Sequence, residues 1–151
     1  MAVSSGNRQA GRLGSLAAAT LVLMAAASAA AAQDAPRAIA IELNGAEPNG
    51  KACQLSFVID NGLTTTINDM ALELVLFEKD GRVGRFVVVR TGKVPASKSR
   101  VRQFGVPDTA CTSIARILVN DVKECAGAGL VPTLCADSLK VSTRTDIRFD
   151  D

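Results

Sequence analysis

From residue 38 onward, apolar side chains recur at every second position, and short polar stretches separate the runs. Such alternation marks strands with one face buried and one face wet. Seven strands are predicted on this pattern: Ala38–Asn44, Cys53–Asp60, Asn68–Phe77, Arg82–Arg90, Ser99–Val106, Thr112–Val122 and Leu139–Phe149. In the sixth, Ala115, Ile117 and Val119 share one face, and Ile114 and Leu118 the other. In the seventh, every odd-numbered residue from Leu139 to Phe149 falls on a single face. Only residues 62–72 and 120–130 leave room for a helical turn or two.

Turn residues divide the runs. Asn44-Gly45, Asn49-Gly50 and Asn61-Gly62 offer positive-φ positions at low cost. Lys79-Asp80-Gly81 lies between two β-rich runs and reads as a hairpin. Gly92 and Pro95 break the chain before the fifth strand, and Pro107 ends it. Ala126-Gly127-Ala128-Gly129 reads as a hairpin loop, since it follows a Cys and leads to Pro132. Short strands at this spacing predict an all-β, antiparallel β-sandwich.

The N-terminus reads as a signal peptide. Arg8 and Arg12 precede an Ala-rich apolar stretch, and Ala30-Ala31-Ala32 before Gln33 satisfies the small-x-small cleavage rule. Ala27-Ser28-Ala29 offers a second site of the same kind. The segments expected are therefore a signal at 1–32, a short extension at 33–37 and a sandwich domain at 38–151. The absence of a twin arginine favours a Sec-type signal, and the expected compartment is the periplasm. Contact with a membrane is expected only through the signal, before cleavage.

Cys53, Cys111, Cys125 and Cys135 all follow the signal. An even number of cysteines in an exported chain predicts two disulfides. No pair has CxxC spacing, which argues against thioredoxin-type chemistry and a zinc knuckle. If successive strands alternate in direction, strands two and six run the same way. Cys53 and Cys111 then sit at one end of the domain, and Cys125 and Cys135 at the other. The predicted pairs are Cys53–Cys111 and Cys125–Cys135.

Composition removes several functions. The chain has no His, Trp or Tyr, so a His-dependent triad and a His-ligated metal are impossible. Five Phe are too few for an aromatic platform that stacks single-stranded nucleic acid, and nucleic acid is not an expected partner. Ser97 and Lys98, or Lys98 and Ser99, alternate faces on a strand, which is poor geometry for a Ser-Lys pair. The carboxylates Asp121, Glu124, Asp146, Asp150 and Asp151 match no calcium loop and read as solvated surface. No metal, cofactor or catalytic residue is expected.

The string Ile41-Glu-Leu-Asn44, Cys53-Gln-Leu-Ser-Phe57, Gly92-Lys-Val-Pro-Ala96, Arg100-Val-Arg-Gln-Phe104, Arg116-Ile-Leu-Val-Asn120 and the ordered cysteines resembles a group of small exported proteobacterial proteins, of the kind labelled "Tat pathway signal sequence domain protein". The resemblance spans about residues 38–148. The chain departs from that label in lacking a twin arginine. Its strand–hairpin–strand pattern also resembles the FxLyD-type immunoglobulin-like domains of bacterial envelope proteins. These resemblances imply an exported immunoglobulin-like sandwich and carry over no catalytic residue.

Charge placement is the remaining signal. Without residues 1–32 the chain keeps fifteen of its seventeen basic residues and all fifteen acidic ones, and so has no net charge. The charges are nevertheless segregated. Residues 79–102 hold Lys79, Arg82, Arg85, Arg90, Lys93, Lys98, Arg100 and Arg102 against Asp80 alone. Clustered cations raise the local concentration of anions, and the planar arginine fork suits carboxylate and phosphate. Arg82, Arg90, Arg100 and Arg102 are the candidate contacts, with Arg100 and Arg102 on one strand face. The competing reading is that these charges protect an edge strand from pairing, or pair with the acidic remainder of the chain. The function expected is a non-enzymatic interaction module that meets an envelope protein or an anionic envelope component. A small-ligand binder lined by Phe57, Phe77 and Phe104 and a thiol-redox protein are the alternatives.

Overall fold

The computed structural model describes residues 37–151. The expected signal at 1–32 and all of the extension except Arg37 lie outside the described residues. Eight strands run in chain order as β1 (Ile39–Asn49), β2 (Ala52–Asn61), β3 (Asp69–Glu78), β4 (Val83–Arg90), β5 (Lys98–Val106), β6 (Ile114–Ala126), β7 (Leu139–Thr143) and β8 (Arg148–Asp150). They form two four-stranded sheets, with orders β5-β2-β1-β7 and β4-β3-β6-β8. A 3-10 turn at Cys111–Ser113 precedes β6, and a short helix, α1 (Pro132–Asp137), precedes β7.

The inward faces follow the alternation in the sequence. Ile39, Ile41 and Leu43 of β1, Leu55, Phe57 and Ile59 of β2, and Met70, Leu72, Leu74 and Leu76 of β3 are buried together in one apolar core. Phe57 of the first sheet packs against Phe149 of the second, with ring centroids 5.6 Å apart. Residues of both sheets thus share the core of a sandwich-like all-β fold.

Strand β6 departs from strict alternation. Its buried residues are Ile114, Ile117, Val119, Val122 and Cys125, so Ile114 joins the core instead of the opposite face. Three register shifts against β3 account for this. Each shift skips one residue of β6: Ala115, Asn120 and Lys123. A bulge adds one residue to one strand and converts a two-residue step into a three-residue step.

The last predicted strand becomes two. β7 pairs in parallel with β1, and β8 pairs in parallel with β6, so the sheets are not wholly antiparallel. Between them the chain crosses from one sheet to the other. Thr143 Oγ1 accepts from the Thr145 N–H, and Thr145 Oγ1 accepts from the Ile147 N–H. The two hydroxyls replace the sheet partners that the backbone loses at the crossing. Ile147 and Phe149 remain buried on the far side.

Pro132 opens α1 rather than the second strand of a hairpin, and proline at the first helical position has φ already set. The segment 126–131 is therefore part of a crossover, and neither 62–72 nor 120–130 is helical. Of the three Asn-Gly pairs, only Gly50 has positive φ, at 62°. Asn44-Gly45 continues β1 through a bulge. Gly62 is required for space, since a Cβ there would lie 2.6 Å from the Ala38 carbonyl oxygen. The Lys79-Asp80-Gly81 hairpin turn forms as expected, with Gly81 at φ 85°.

Both expected disulfides are present, Cys53–Cys111 and Cys125–Cys135, and no described cysteine is free. Paired cysteines of this kind indicate an oxidising, exported environment. Among the described residues no helix is long and apolar enough to cross a membrane.

Candidate interaction surface

Strands β4 and β5 are edge strands, one in each sheet, and they flank the same open margin of the domain. The chain between them is firmly held. Val94 pairs with Ile67, the Thr91 N–H donates to the Met70 carbonyl, and the Gly92 N–H donates to Asp69 Oδ1. The fully buried Asn61 holds this segment from beneath. Its Nδ2 donates to the carbonyls of Thr65 and Val94, and its Oδ1 accepts from the Leu63 N–H.

Among the described residues no backbone ladder closes the margin; arginines bridge it. Arg102, on β5, donates from Nε to the Thr91 carbonyl at 2.6 Å. Arg85, on β4, donates from Nη1 to the Pro107 carbonyl at 2.7 Å. A hydrogen bond from a charged donor contributes about 1.5–3 kcal/mol, against about 1 kcal/mol for a neutral pair. Arg102→Met keeps most of the aliphatic stem and removes the fork. It should lower the unfolding free energy by about 2 kcal/mol, read from the urea midpoint. Arg102→Lys should recover only part of that loss, because a lysine cannot span two carbonyls with a planar fork.

The four candidate arginines are in different surroundings. Arg82 is ion-paired with Glu78 and Asp80 of its own hairpin. Arg90 lies between Asp69 and Glu124, and the hydrogen bonds it donates to Glu124 first and Asp69 second hold its guanidinium above the usual range. Arg102 is committed to backbone carbonyls. Arg100 is exposed and donates only to the Ser99 carbonyl next to it, at 2.8 Å. Arg100 and Arg102 do share a face with Phe104 and Val106, and it is the face turned toward the core margin, where Val106 is buried and Phe104 packs on Phe57 at 5.9 Å.

Six cations of the segment form no ion pair with a described carboxylate: Lys79, in the β3–β4 turn, and Arg85, Lys93, Lys98, Arg100 and Arg102. The last five lie on β4, on β5 or between them, along the β4–β5 margin. Elsewhere Arg116, Lys123, Arg144 and Arg148 are ion-paired. Asp150, hydrogen-bonded by Arg148 and also by Arg116, is held below the usual carboxylate range, and Glu42 is lowered likewise by Asn44 and then Arg144. Sequence alone marked the basic segment but not which of its members lose their freedom to a partner.

The aromatic residues do not gather around a cavity. Phe57 and Phe104 pack together, whereas Phe77 lies outside the core cluster beneath the Arg116 guanidinium, 4.9 Å from its ring centre. An open cleft of about 350 Å³ lies beside Arg85, lined also by Phe77, Glu78, Asp108 and Ser113.

Comparison with known proteins finds a likeness of fold. No family model matches the chain, and no curated protein matches it. Among solved structures, IrmA from Escherichia coli is similar at a TM-score of 0.57 and 16% identity, over 70% of this chain and 91% of that one. Identity at this level carries the arrangement of strands and nothing about the margin.

Proposed function

We propose that this protein is an exported, non-enzymatic interaction module of the bacterial envelope, and that it engages an anionic partner through the β4–β5 margin. The observation that carries this reading is the row of five cations without a carboxylate partner among the described residues, beside two edge strands. An unpaired cation at a surface has its charge available to a ligand, whereas Arg82 and Arg90 would have to exchange one carboxylate for another. The two facing sheets are read as an immunoglobulin-like sandwich of the FxLyD type. The two disulfides, together with the signal-like N-terminus, support the periplasm as the compartment and a Sec-type route.

The test is capture from envelope extract with the protein purified from the periplasm of cells expressing the full chain. A partner should be retained at low ionic strength and released at about 1 M salt, where the screening length is about 3 Å. Joint reversal of Lys98 and Arg100 to Glu should abolish retention without changing the melting temperature, since both side chains are exposed. Equal retention by the reversed variant, or no retained partner at low salt, would exclude the margin as the binding surface.

A further inference from the structure

The edge of β5 has an unusual form of protection. Arg100 Nη1 donates to the carbonyl of Ser99 at 2.8 Å, and Arg102 Nη1 donates to the carbonyl of Val101 at 3.0 Å. Carbonyls that accept from side chains in this way face away from β2, on the free side of the strand. In an antiparallel pair the N–H and C=O of one residue point the same way, and the direction alternates along the strand. The free edge therefore presents the backbone groups of Ser99, Val101 and Gln103. No described strand runs along it, because β5 pairs only with β2.

We propose that this edge accepts an extended acidic segment of a partner protein by strand addition. The proposal rests on the anionic-partner reading above and names the chemistry of that partner. An incoming strand must displace two guanidinium donors from the Ser99 and Val101 carbonyls. Its own N–H groups replace those donors on the carbonyls. A neutral strand would then leave the displaced guanidinium of Arg100 without an acceptor, whereas a strand with carboxylates supplies one. Lys98, Arg100 and Arg102 fall on one face of β5, so the acidic residues belong at alternate positions. On the other face Val101 is 60% exposed and offers an aliphatic contact to the residues between. A second copy of β5 is disfavoured by the same logic, because it would place these cations opposite each other.

The probe is a blocked peptide of about eight residues, a typical strand length, alternating Glu and Val. It should bind the protein saturably and slow hydrogen exchange at the Val101 and Gln103 amides. The same peptide with alternate amides N-methylated keeps its charge but cannot complete the ladder, and should bind about tenfold more weakly, as should a Lys-Val peptide. Val101→Pro removes one edge N–H, a change an edge strand tolerates where the N–H faces away from the sheet. It should melt like the wild type and lose the peptide. If this variant does not fold, the N-methylated peptide and the exchange pattern still decide the matter on the wild-type protein. Equal binding of methylated and unmethylated peptides would overturn strand addition and leave an anionic surface standing. Absence of peptide binding alongside salt-sensitive capture of an envelope component would do the same, and absence of both would remove both readings. Dimerisation that Val101→Pro abolishes would assign the edge to a second copy and overturn the proposal.

Discussion

Replacing Cys53 and Cys111 with serine should lower the unfolding free energy by about 4 kcal/mol, because the bridge closes a long loop in the unfolded chain. The two residues are 58 positions apart, against 10 for Cys125 and Cys135. Loop-closure entropy grows with the logarithm of that separation, so the second bridge contributes about 3 kcal/mol. Burial enlarges both losses. Cys53 and Cys135 are fully enclosed, and a serine at either position places a hydroxyl among apolar side chains. For a domain of this size the combined effect corresponds to a fall in melting temperature on the order of 15 °C. Differential scanning calorimetry on both double-serine variants measures it. A smaller loss for Cys53–Cys111 than for Cys125–Cys135 would contradict the entropic account.

Asn61→Ala should cost about 4 kcal/mol, comparable to a disulfide although no charge is involved. The side chain is fully buried and makes three hydrogen bonds to backbone groups of the 63–65 turn and the β4–β5 connection. Its removal leaves an N–H and two carbonyls in a site that water does not reach readily, and each such group costs about 1–3 kcal/mol. Asn61→Asp is the sharper test. It keeps the shape but turns the donor into a second acceptor that faces the Thr65 and Val94 carbonyls. A carboxylate there is stable only when protonated, so the loss should be largest at neutral pH and shrink in acid. Urea midpoints across pH measure this. A loss that does not vary with pH would mean that the site opens to solvent and rehydrates the carboxylate.

Both residues bear on how the fold is written in the chain. The cysteine pairing was legible because it needs only strand count and direction. Cys53 opens β2 and Cys111 precedes β6 at the same end of the domain, and the splitting of the final strand comes after both. Asn61 was legible only as half of a turn dipeptide. Its role depends on Val94, thirty-three positions away, which no local pattern reports. The bulges of β6 were hidden for a related reason. A three-residue step between apolar positions resembles a phase error in a period-two pattern until the partner strand fixes which residue is skipped.

The candidate surface divides in the same way. The concentration of cations between residues 79 and 102 is a property of the sequence, and so are the two disulfide partnerships, the apolar faces of β1 to β3 and the absence of histidine chemistry. Tertiary structure decided which cations are spent. Asp69 and Glu124, distant in sequence, converge on Arg90, while Arg85 and Arg102 turn to carbonyls across the open margin. It also decided that the last strand changes sheets. Periodicity records only which side of a strand is dry, and a strand that crosses the core keeps its dry side in either sheet. Local chemistry is written residue by residue, but whether a charge finds its counter-charge depends on distances that exist only once the chain has folded.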